Sequence, residues 1–291
     1  MCYTVIYICL AQKTIRLEVL HQSPIPYYVF KVTATKDELF MMCIEPNIIV
    51  YNRNNMTRMN AVIEPPETRL VDVAGCSVSN CVYAACIADT SRPMSCCSVL
   101  RITKNEEQQF IISPWLNGQI MPLSALSVSA NGSLIILNNP HALYDVGISI
   151  YDANGCCLQH KIALYPGIRG RRFWDNIIQK SNGNLVLVLL NHKSANKLVE
   201  IDAAGKIVRH FRSSLSARSG PYFADAHGRF VITEEDEGIK LLDSELNLLH
   251  CTSPHLNGRQ LHYNYERNEL VSILPLVPNS NVVTIFRFIE D

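Results

Sequence analysis

Short runs of alternating apolar and polar residues recur along the chain, and tight turns separate them. Three stretches share one order of elements: strand, turn, strand, loop, strand, second turn and fourth strand. Their first turns are Asn131-Gly132, Asn182-Gly183 and His227-Gly228. Asn-Gly between alternating residues favours a type I′ hairpin, in which both central residues have positive φ. The pattern therefore predicts consecutive four-stranded antiparallel units.

Weaker copies of this unit precede and follow the three clear ones, which makes six units with a spacing of roughly 40 to 50 residues. That spacing is typical of a β-propeller and not of a β-sandwich. The last unit has only three strands, whereas Thr14–Leu20 alternates without a partner. We predict an all-β, six-bladed β-propeller of four-stranded antiparallel blades, one domain over residues 1–291. The amino-terminal strand 14–20 is expected to close the last blade, beside 282–288.

Several segments of the units resemble a known repeat family. The strings SNGNLVLVLL, LVEIDAAGKIV and LLDSELNLL are similar to NHL repeats, which form the propellers of TRIM–NHL proteins and of short stand-alone NHL-like invertebrate proteins. This resemblance implies a propeller fold, and it implies RNA binding by one face in some members. No Cys/His zinc ladder or heptad run precedes the first unit, so the ubiquitin-ligase activity of TRIM proteins is not implied.

Composition and charge narrow the protein class. Hydrophobic residues make up 48% and charged residues 18%, which is too apolar for a disordered chain. Lysine plus arginine and aspartate plus glutamate are both 26, so a wholly basic nucleic-acid binder is excluded. No apolar run is long enough for a transmembrane helix, and the amino terminus lacks a signal-peptide pattern. We expect a cytoplasmic monomer without membrane contact.

Eleven cysteines, an odd number, are then expected to be thiols. Five of them fall in the second unit: Cys76, Cys81, Cys86, Cys96 and Cys97. Cys76 and Cys81 flank a turn and are predicted to face each other. Buried structural thiols, a cross-strand disulfide and a metal site all remain open for this pair, although the four-residue gap differs from that of a zinc knuckle.

No catalytic constellation emerges from the sequence. Hydrolases and lactonases with six blades bind a divalent cation in the central channel through Glu, Asp and Asn, and the candidates here are Glu64, Asp72, Asp175 and Asp225. They have no fixed short spacing, and neither HExxH nor G-x-S-x-G occurs. We therefore predict a non-enzymatic protein with no catalytic residue, no metal and no cofactor. A metal-dependent hydrolase or lactonase is the third alternative.

Basic residues concentrate in one part of the chain. Between Lys161 and Arg218 there are eleven basic and three acidic residues, a surplus of eight positive charges. Three loops of units three to five should emerge on one propeller face. They supply the candidate binding residues Arg169, Arg171, Arg172, Trp174, His192, Lys193, Lys197, Arg212 and Arg218.

This basic rim favours an anionic partner, and Trp174 offers a surface for stacking. The acidic run Glu234–Glu237 falls in a neighbouring loop, which weakens phosphate binding and suits a protein of complementary charge. The first functional hypothesis is thus a protein-interaction platform, and the alternative is single-stranded RNA binding through the rim.

Overall fold

The described part of the chain consists of β-strands and turns. The computed structural model describes residues 15–26, 29–43, 48–63, 68–88, 97–103, 107–111, 115–116, 119–120, 123–138, 145–164, 173–180, 182–190, 197–211, 222–224, 228–234, 238–245, 247–251, 260–264, 267–277 and 280–290. Strands cover more than half of the chain. Within these ranges no helix is long and apolar enough to cross a membrane.

Six four-stranded antiparallel sheets form the blades. The first strand, β1 (Ile15–Ile25), belongs to the last sheet. Blade one contains β2 (Val29–Ala34), β3 (Glu38–Cys43), β4 (Ile48–Asn52) and β5 (Arg58–Ile63). Blade two contains β6 (Thr68–Cys76), β7 (Cys81–Ala88), β8 (Cys97–Ile102) and β9 (Glu107–Ile111). A separate two-stranded ribbon follows, made of β10 (Trp115–Leu116) and β11 (Gln119–Ile120).

The remaining blades repeat the same order. Blade three contains β12 (Leu123–Val128), β13 (Leu134–Asn138), β14 (Asp145–Tyr151) and β15 (Cys157–Leu164). Blade four contains β16 (Phe173–Gln179), β17 (Leu185–Leu190), β18 (Lys197–Ile201) and β19 (Ile207–Phe211). Blade five contains β20 (Tyr222–Ala224), β21 (Phe230–Glu234), β22 (Gly238–Leu242) and β23 (Leu248–Cys251). Blade six contains β24 (Gln260–Asn264), β25 (Glu269–Val277), β26 (Ser280–Glu290) and β1.

The ring is closed by the amino-terminal strand. β1 pairs antiparallel with β26, with Ile15 opposite Glu290 and Ile25 opposite Asn281. The first strand of each blade contacts the first strand of the next, and β24 contacts β2. Both the six-bladed propeller and its predicted closure are therefore confirmed. The strand is longer than predicted, because it runs to Ile25, and Thr14 lies outside the described residues.

Apolar side chains fill the spaces between neighbouring blades. Val32 and Ala34 of blade one pack with Val271 and Ile273 of blade six in one such cluster. Corresponding clusters lie between blades one and two, two and three, three and four, and four and five. Each fully buried aliphatic side chain contributes about 1.5–3 kcal/mol relative to an exposed one. The blades are thus held to each other by their faces, while their innermost strands surround the central channel.

The hairpins confirm the glycine positions and correct the turn type. Gly132, Gly183 and Gly228 have φ of 85°, 85° and 75°. Asn131 and Asn182 are not among the described residues with positive φ, so a type I′ turn is wrong for these two hairpins. In the first, Gly132 N–H donates to Ser129 O and Ser129 N–H donates to Ser133 O, at 2.9 Å each. This is a type I turn followed by a left-handed glycine, the three-residue hairpin whose twist also fits the strands.

Candidate functional site

The innermost strands of blades one to four carry a β-bulge near their start. The pairing with the second strand shifts by one residue between Val29 and Lys31, Leu70 and Asp72, Leu123 and Ala125, and Trp174 and Asn176. Bulges often lie beside functional sites, because the extra residue redirects neighbouring side chains. The four bulges lie at one end of the central channel, which we call the bulge end. The turns after these strands lie at the other, which we call the hairpin end.

At the bulge end, an ion pair links the first three blades. Lys31 Nζ donates to Asp72 Oδ1, and the two side chains are 29% and 8% exposed. Asp72 Oδ1 also accepts from Val73 N–H at 2.8 Å, and its Oδ2 accepts from Leu126 N–H at 2.7 Å. Both carboxylate oxygens are therefore engaged. The carboxylate in turn fixes the Lys31 ammonium, which follows the bulge on β2.

One step further along the channel, a second chain of hydrogen bonds links blades six, one and two. The Gly75 N–H donates to Thr33 Oγ1 at 2.6 Å, and Thr33 Oγ1 lies 3.2 Å from His262 Nδ1. A Cβ at Gly75 would lie 2.2 Å from the Ala34 carbonyl oxygen, so only glycine permits this approach of β6 to β2. Thr33 Oγ1 accepts from Gly75, and towards His262 Nδ1 the hydroxyl can either donate its proton or accept one, according to the tautomer of the imidazole.

The His262 imidazole is held neutral. Burial lowers its pKa to about 3, and the positive charges of Arg53 and Lys31 act in the same direction, whereas the backbone of Ala34 opposes them. Part of the residue is accessible, but Nε2 is enclosed and meets no hydrogen-bond partner in the described part of the protein. A buried polar atom without a partner is costly, so its presence calls for an explanation.

At the hairpin end, a buried ion pair joins blades one and six. Arg53 donates to Glu269 Oε2 and to the Thr35 carbonyl oxygen, the latter at 3.3 Å. The two side chains are 1% and 7% exposed. Arg287 Nη2 donates to the other Glu269 oxygen at 3.4 Å. Burial lowers the pKa of Arg53 despite Glu269, so the cation relies on this carboxylate. This cluster stabilises ring closure and lies at the far end of the channel from the bulges.

The predicted basic rim is largely outside the described residues. Only the backbones of Trp174 and Lys197 are described, and both pair with Leu189, from opposite sides of β17. These two backbone positions thus lie at one end of blade four. The remaining rim residues, which are Arg169, Arg171, Arg172, His192, Lys193, Arg212 and Arg218, lie outside the described ranges. The rim stays a prediction.

The four candidate carboxylates do not form a cation site in the part of the chain that is described. Asp72 is engaged by Lys31 and two backbone N–H groups, whereas Glu64 and Asp225 lie outside the described residues. Asp175 is the extra residue of the bulge on β16. No group of three or more His, Cys, Asp or Glu side chains in the described ranges could hold a metal ion. Asp72, the one candidate whose side chain is described, is thus already engaged by protein groups.

The sequence interpretation missed Lys31, Thr33 and His262. One signal was available for Lys31, since a lysine in the middle of the apolar run YVFKVTA is unusual for an inner strand. No local pattern marks His262, because its partner Thr33 is 229 residues away along the chain. Only closure of the ring brings the two together.

Comparison with known proteins shows the fold. No family model matches the chain, and no curated protein matches it. A solved structure of a putative gluconolactonase has 9% identity and a TM-score of 0.62, over 95% of this chain and 93% of that one. A gluconolactonase from Xanthomonas campestris has 12% identity and a TM-score of 0.62, over 96% and 92%. A protein of unknown function from Bacteroides caccae has 13% identity and a TM-score of 0.55, over 78% of each chain.

These similarities correct two expectations. The resemblance to NHL repeats is borne out only as a six-bladed propeller, since the named neighbours are gluconolactonase-like and not specifically NHL proteins. The expectation of a non-enzymatic interaction platform, with RNA binding as its alternative, is overturned by the same finding. The physical reason is that the hairpin and turn patterns encode the propeller backbone, which enzymes and binding propellers share. What the chain shares with these structures is the six-bladed β-propeller fold.

Proposed function

We propose that this propeller is a hydrolase of small cyclic esters and that the reaction takes place in the central channel beside Lys31 and His262. Two neighbours with the same architecture over nearly their whole length carry the name gluconolactonase. Identity to them is low, so the proposal rests on this chain's own residues. The single observation that carries it is the ring nitrogen Nε2 of His262, which is enclosed, has no hydrogen-bond partner among the described residues and lies close enough to Lys31 to feel its charge.

Hydrolysis of an ester passes through a tetrahedral intermediate with a negative oxygen. Donors that are already aimed at this oxygen lower the barrier, because they need no reorganisation. A neutral imidazole can serve as such a donor, as it does in enzymes that polarise a carbonyl without an imidazolium. For this role we assign the imidazole proton to Nε2, with the Thr33 hydroxyl donating to Nδ1.

Lys31 supplies the second donor, which is positively charged. Its ammonium has three N–H donors, and Asp72 takes one of them. The remaining donors can contact the carbonyl oxygen of a substrate, while Asp72 keeps the ammonium in place. The exposed ring of Phe30, the extra residue of the bulge on β2, adds an apolar surface next to Lys31.

The test is hydrolysis of a panel of γ- and δ-lactones, including glucono-δ-lactone, followed by acid release with a pH indicator. Replacing His262 by Phe is expected to lower kcat/KM by about 10²–10³, the usual effect of losing one oxyanion donor. His262→Gln should keep an intermediate rate, because the amide of Gln can also donate. The matched control is His250→Gln on the outer strand of blade five, which should leave the rate unchanged.

Two outcomes would contradict the proposal. One is a wild-type protein that hydrolyses none of the lactones above the uncatalysed rate. The other is a folded His262→Phe variant that is as active as the wild type.

A further inference from the structure

Cys76 and Cys81 face each other across the first hairpin of blade two. They are direct partners in the ladder between β6 and β7. The Gly75 N–H donates away from β7, to Thr33 Oγ1, so the alternation of the ladder places the two cysteines in a hydrogen-bonded pair. The Cα atoms of such a pair are about 5.5 Å apart, which falls within the range that a disulfide spans. A bond between the two sulfurs therefore requires no rearrangement of the strands.

The surroundings of the two thiols favour a single shared negative charge. A hydrogen bond from the Cys81 thiol lowers the pKa of Cys76, and Ser79 assists. The same hydrogen bond raises the pKa of Cys81, because its proton is held between the sulfurs. Ser79 N–H donates to Cys76 Sγ at 3.4 Å, and the Ser79 hydroxyl lies 3.0 Å from Cys81 Sγ. The positive charge of Arg101 on β8 acts on Cys81.

A thin turn covers the pair. Both cysteines are almost fully buried, but the residues directly above them are the two-residue tip Val78-Ser79, and Val78 is 59% exposed. The turn is closed by the 3.4 Å hydrogen bond from Asn80 N–H to Ser77 O, which is long for N–H···O. A small oxidant can thus reach the thiols after a local opening of the turn, with the strands and the neighbouring blade left in place.

We propose that Cys76 and Cys81 are a redox-active pair that a hydroperoxide converts to a cross-strand disulfide. The Cys76 thiolate attacks one peroxide oxygen, so that an S–O bond forms, the O–O bond breaks and hydroxide leaves. The Cys81 thiolate then attacks the Cys76 sulfur, which forms the S–S bond and expels a second hydroxide. The two thiols lose two electrons and two protons, and the peroxide becomes two waters.

This role differs from the alternatives that the cysteine spacing left open. Both cysteines are free thiols, and in the described residues no metal-binding cluster includes them. A disulfide that forms and is reduced again is regulatory and not structural. Its formation would also end the 3.9 Å contact of Cys76 Sγ with Gly132 O of blade three.

The test is a measurement of each cysteine after a brief treatment of the full chain with hydrogen peroxide. The protein is unfolded in urea with a light alkylating reagent, reduced, labelled with a heavy form of the reagent and analysed by mass spectrometry. In the wild type, Cys76 and Cys81 should both switch from light to heavy label. Dithiothreitol added before the urea step should return both to light label.

Three variants keep the result interpretable. Cys86→Ser removes a buried thiol from the same strand, β7, and should leave the switch intact. Cys76→Ser should leave Cys81 light, because the attacking thiolate is gone. Cys81→Ser should leave Cys76 without its resolving partner and prevent any intramolecular disulfide. If both cysteines stay light in the wild type, or if they oxidise irreversibly, the proposal is overturned.

Discussion

The buried pair Arg53–Glu269 provides a sharp test of how ring closure is stabilised. Replacing Glu269 by Gln preserves the size of the side chain but leaves the Arg53 charge without its counterion. Both side chains are less than a tenth exposed, so water cannot compensate for the loss. Breaking a buried pair on one side costs about 3–5 kcal/mol. We expect a decrease of this size in the free energy of unfolding, together with weaker docking of blade six on blade one.

An exposed ion pair provides the comparison for the buried one. Arg209 donates to Glu245 between blades four and five, but these side chains are 41% and 54% exposed. Exposed pairs contribute about 0.2–1 kcal/mol, so Glu245→Gln should have a much smaller effect than Glu269→Gln. The two variants have the same chemistry and differ mainly in burial. A double variant, Arg53→Met with Glu269→Leu, should recover most of the lost stability, because it removes the unpaired charge altogether.

The assay is urea unfolding monitored by circular dichroism, with the slope of the transition checked for constancy between variants. Equal losses below about 1 kcal/mol for Glu269→Gln and Glu245→Gln would refute the reasoning. So would a double variant that is less stable than the single one. Either result would mean that the closure depends on the apolar contacts and the β1–β26 ladder without a contribution from the ion pair.

Three further predictions concern single features. A Cβ at Gly183 would meet no atom within 4 Å, so Gly183→Ala should lower the free energy of unfolding by only about 1 kcal/mol, the cost of a left-handed backbone at alanine. Gly75→Ala should lower it several times more in the same urea assay, because its Cβ would overlap the Ala34 carbonyl. Deleting residues 1–25 removes β1, and we expect loss of cooperative unfolding by calorimetry; an unchanged transition would contradict closure by this strand. Folding lowers the pKa of His262 from its ordinary 6.5 to about 3, so its contribution to stability is complete above pH 6.5 and declines as the pH falls towards 3. In acid titrations the stability of His262→Phe should therefore decline less steeply than that of the wild type. Identical curves would contradict the burial of His262.

The fold was largely predictable, because its signals are local. A glycine after a short polar turn indicates a hairpin whichever tertiary structure surrounds it, and the surplus strand at the amino terminus matched a missing one at the other end. The turn type was not predictable in the same way, since Asn131-Gly132 suits two hairpin geometries that differ in loop length, in register and in the φ of the asparagine. Local sequence thus specified where the chain turns and left the detailed turn geometry to the strands.

The candidate site was not predictable, because it consists of contacts between distant positions. Lys31 and Asp72 are 41 residues apart, and Thr33 and His262 are 229 residues apart. Each residue alone looks like an ordinary polar position in a strand. Their meaning comes from the order of blades around the axis, which decides which inner strands are neighbours. The basic rim, in contrast, was inferred from a charge surplus along the sequence and not from any contact between residues.

The pairing of β1 with β26 also determines when the protein can finish folding during synthesis. The two strands are separated by the residues from Ile25 to Ser280, and a ribosome adds about 5–20 residues per second, so β1 waits on the order of ten to fifty seconds for its partner. Throughout that delay its hydrogen-bonding edge, with Val19 and Leu20 upon it, is available to any other strand that is being made nearby. A permuted gene that places β1 directly after β26 would abolish the delay. The time for which β1 stays unpaired in the nascent chain therefore depends on the order of the strands in the gene, and it would change without altering a single contact of the finished ring.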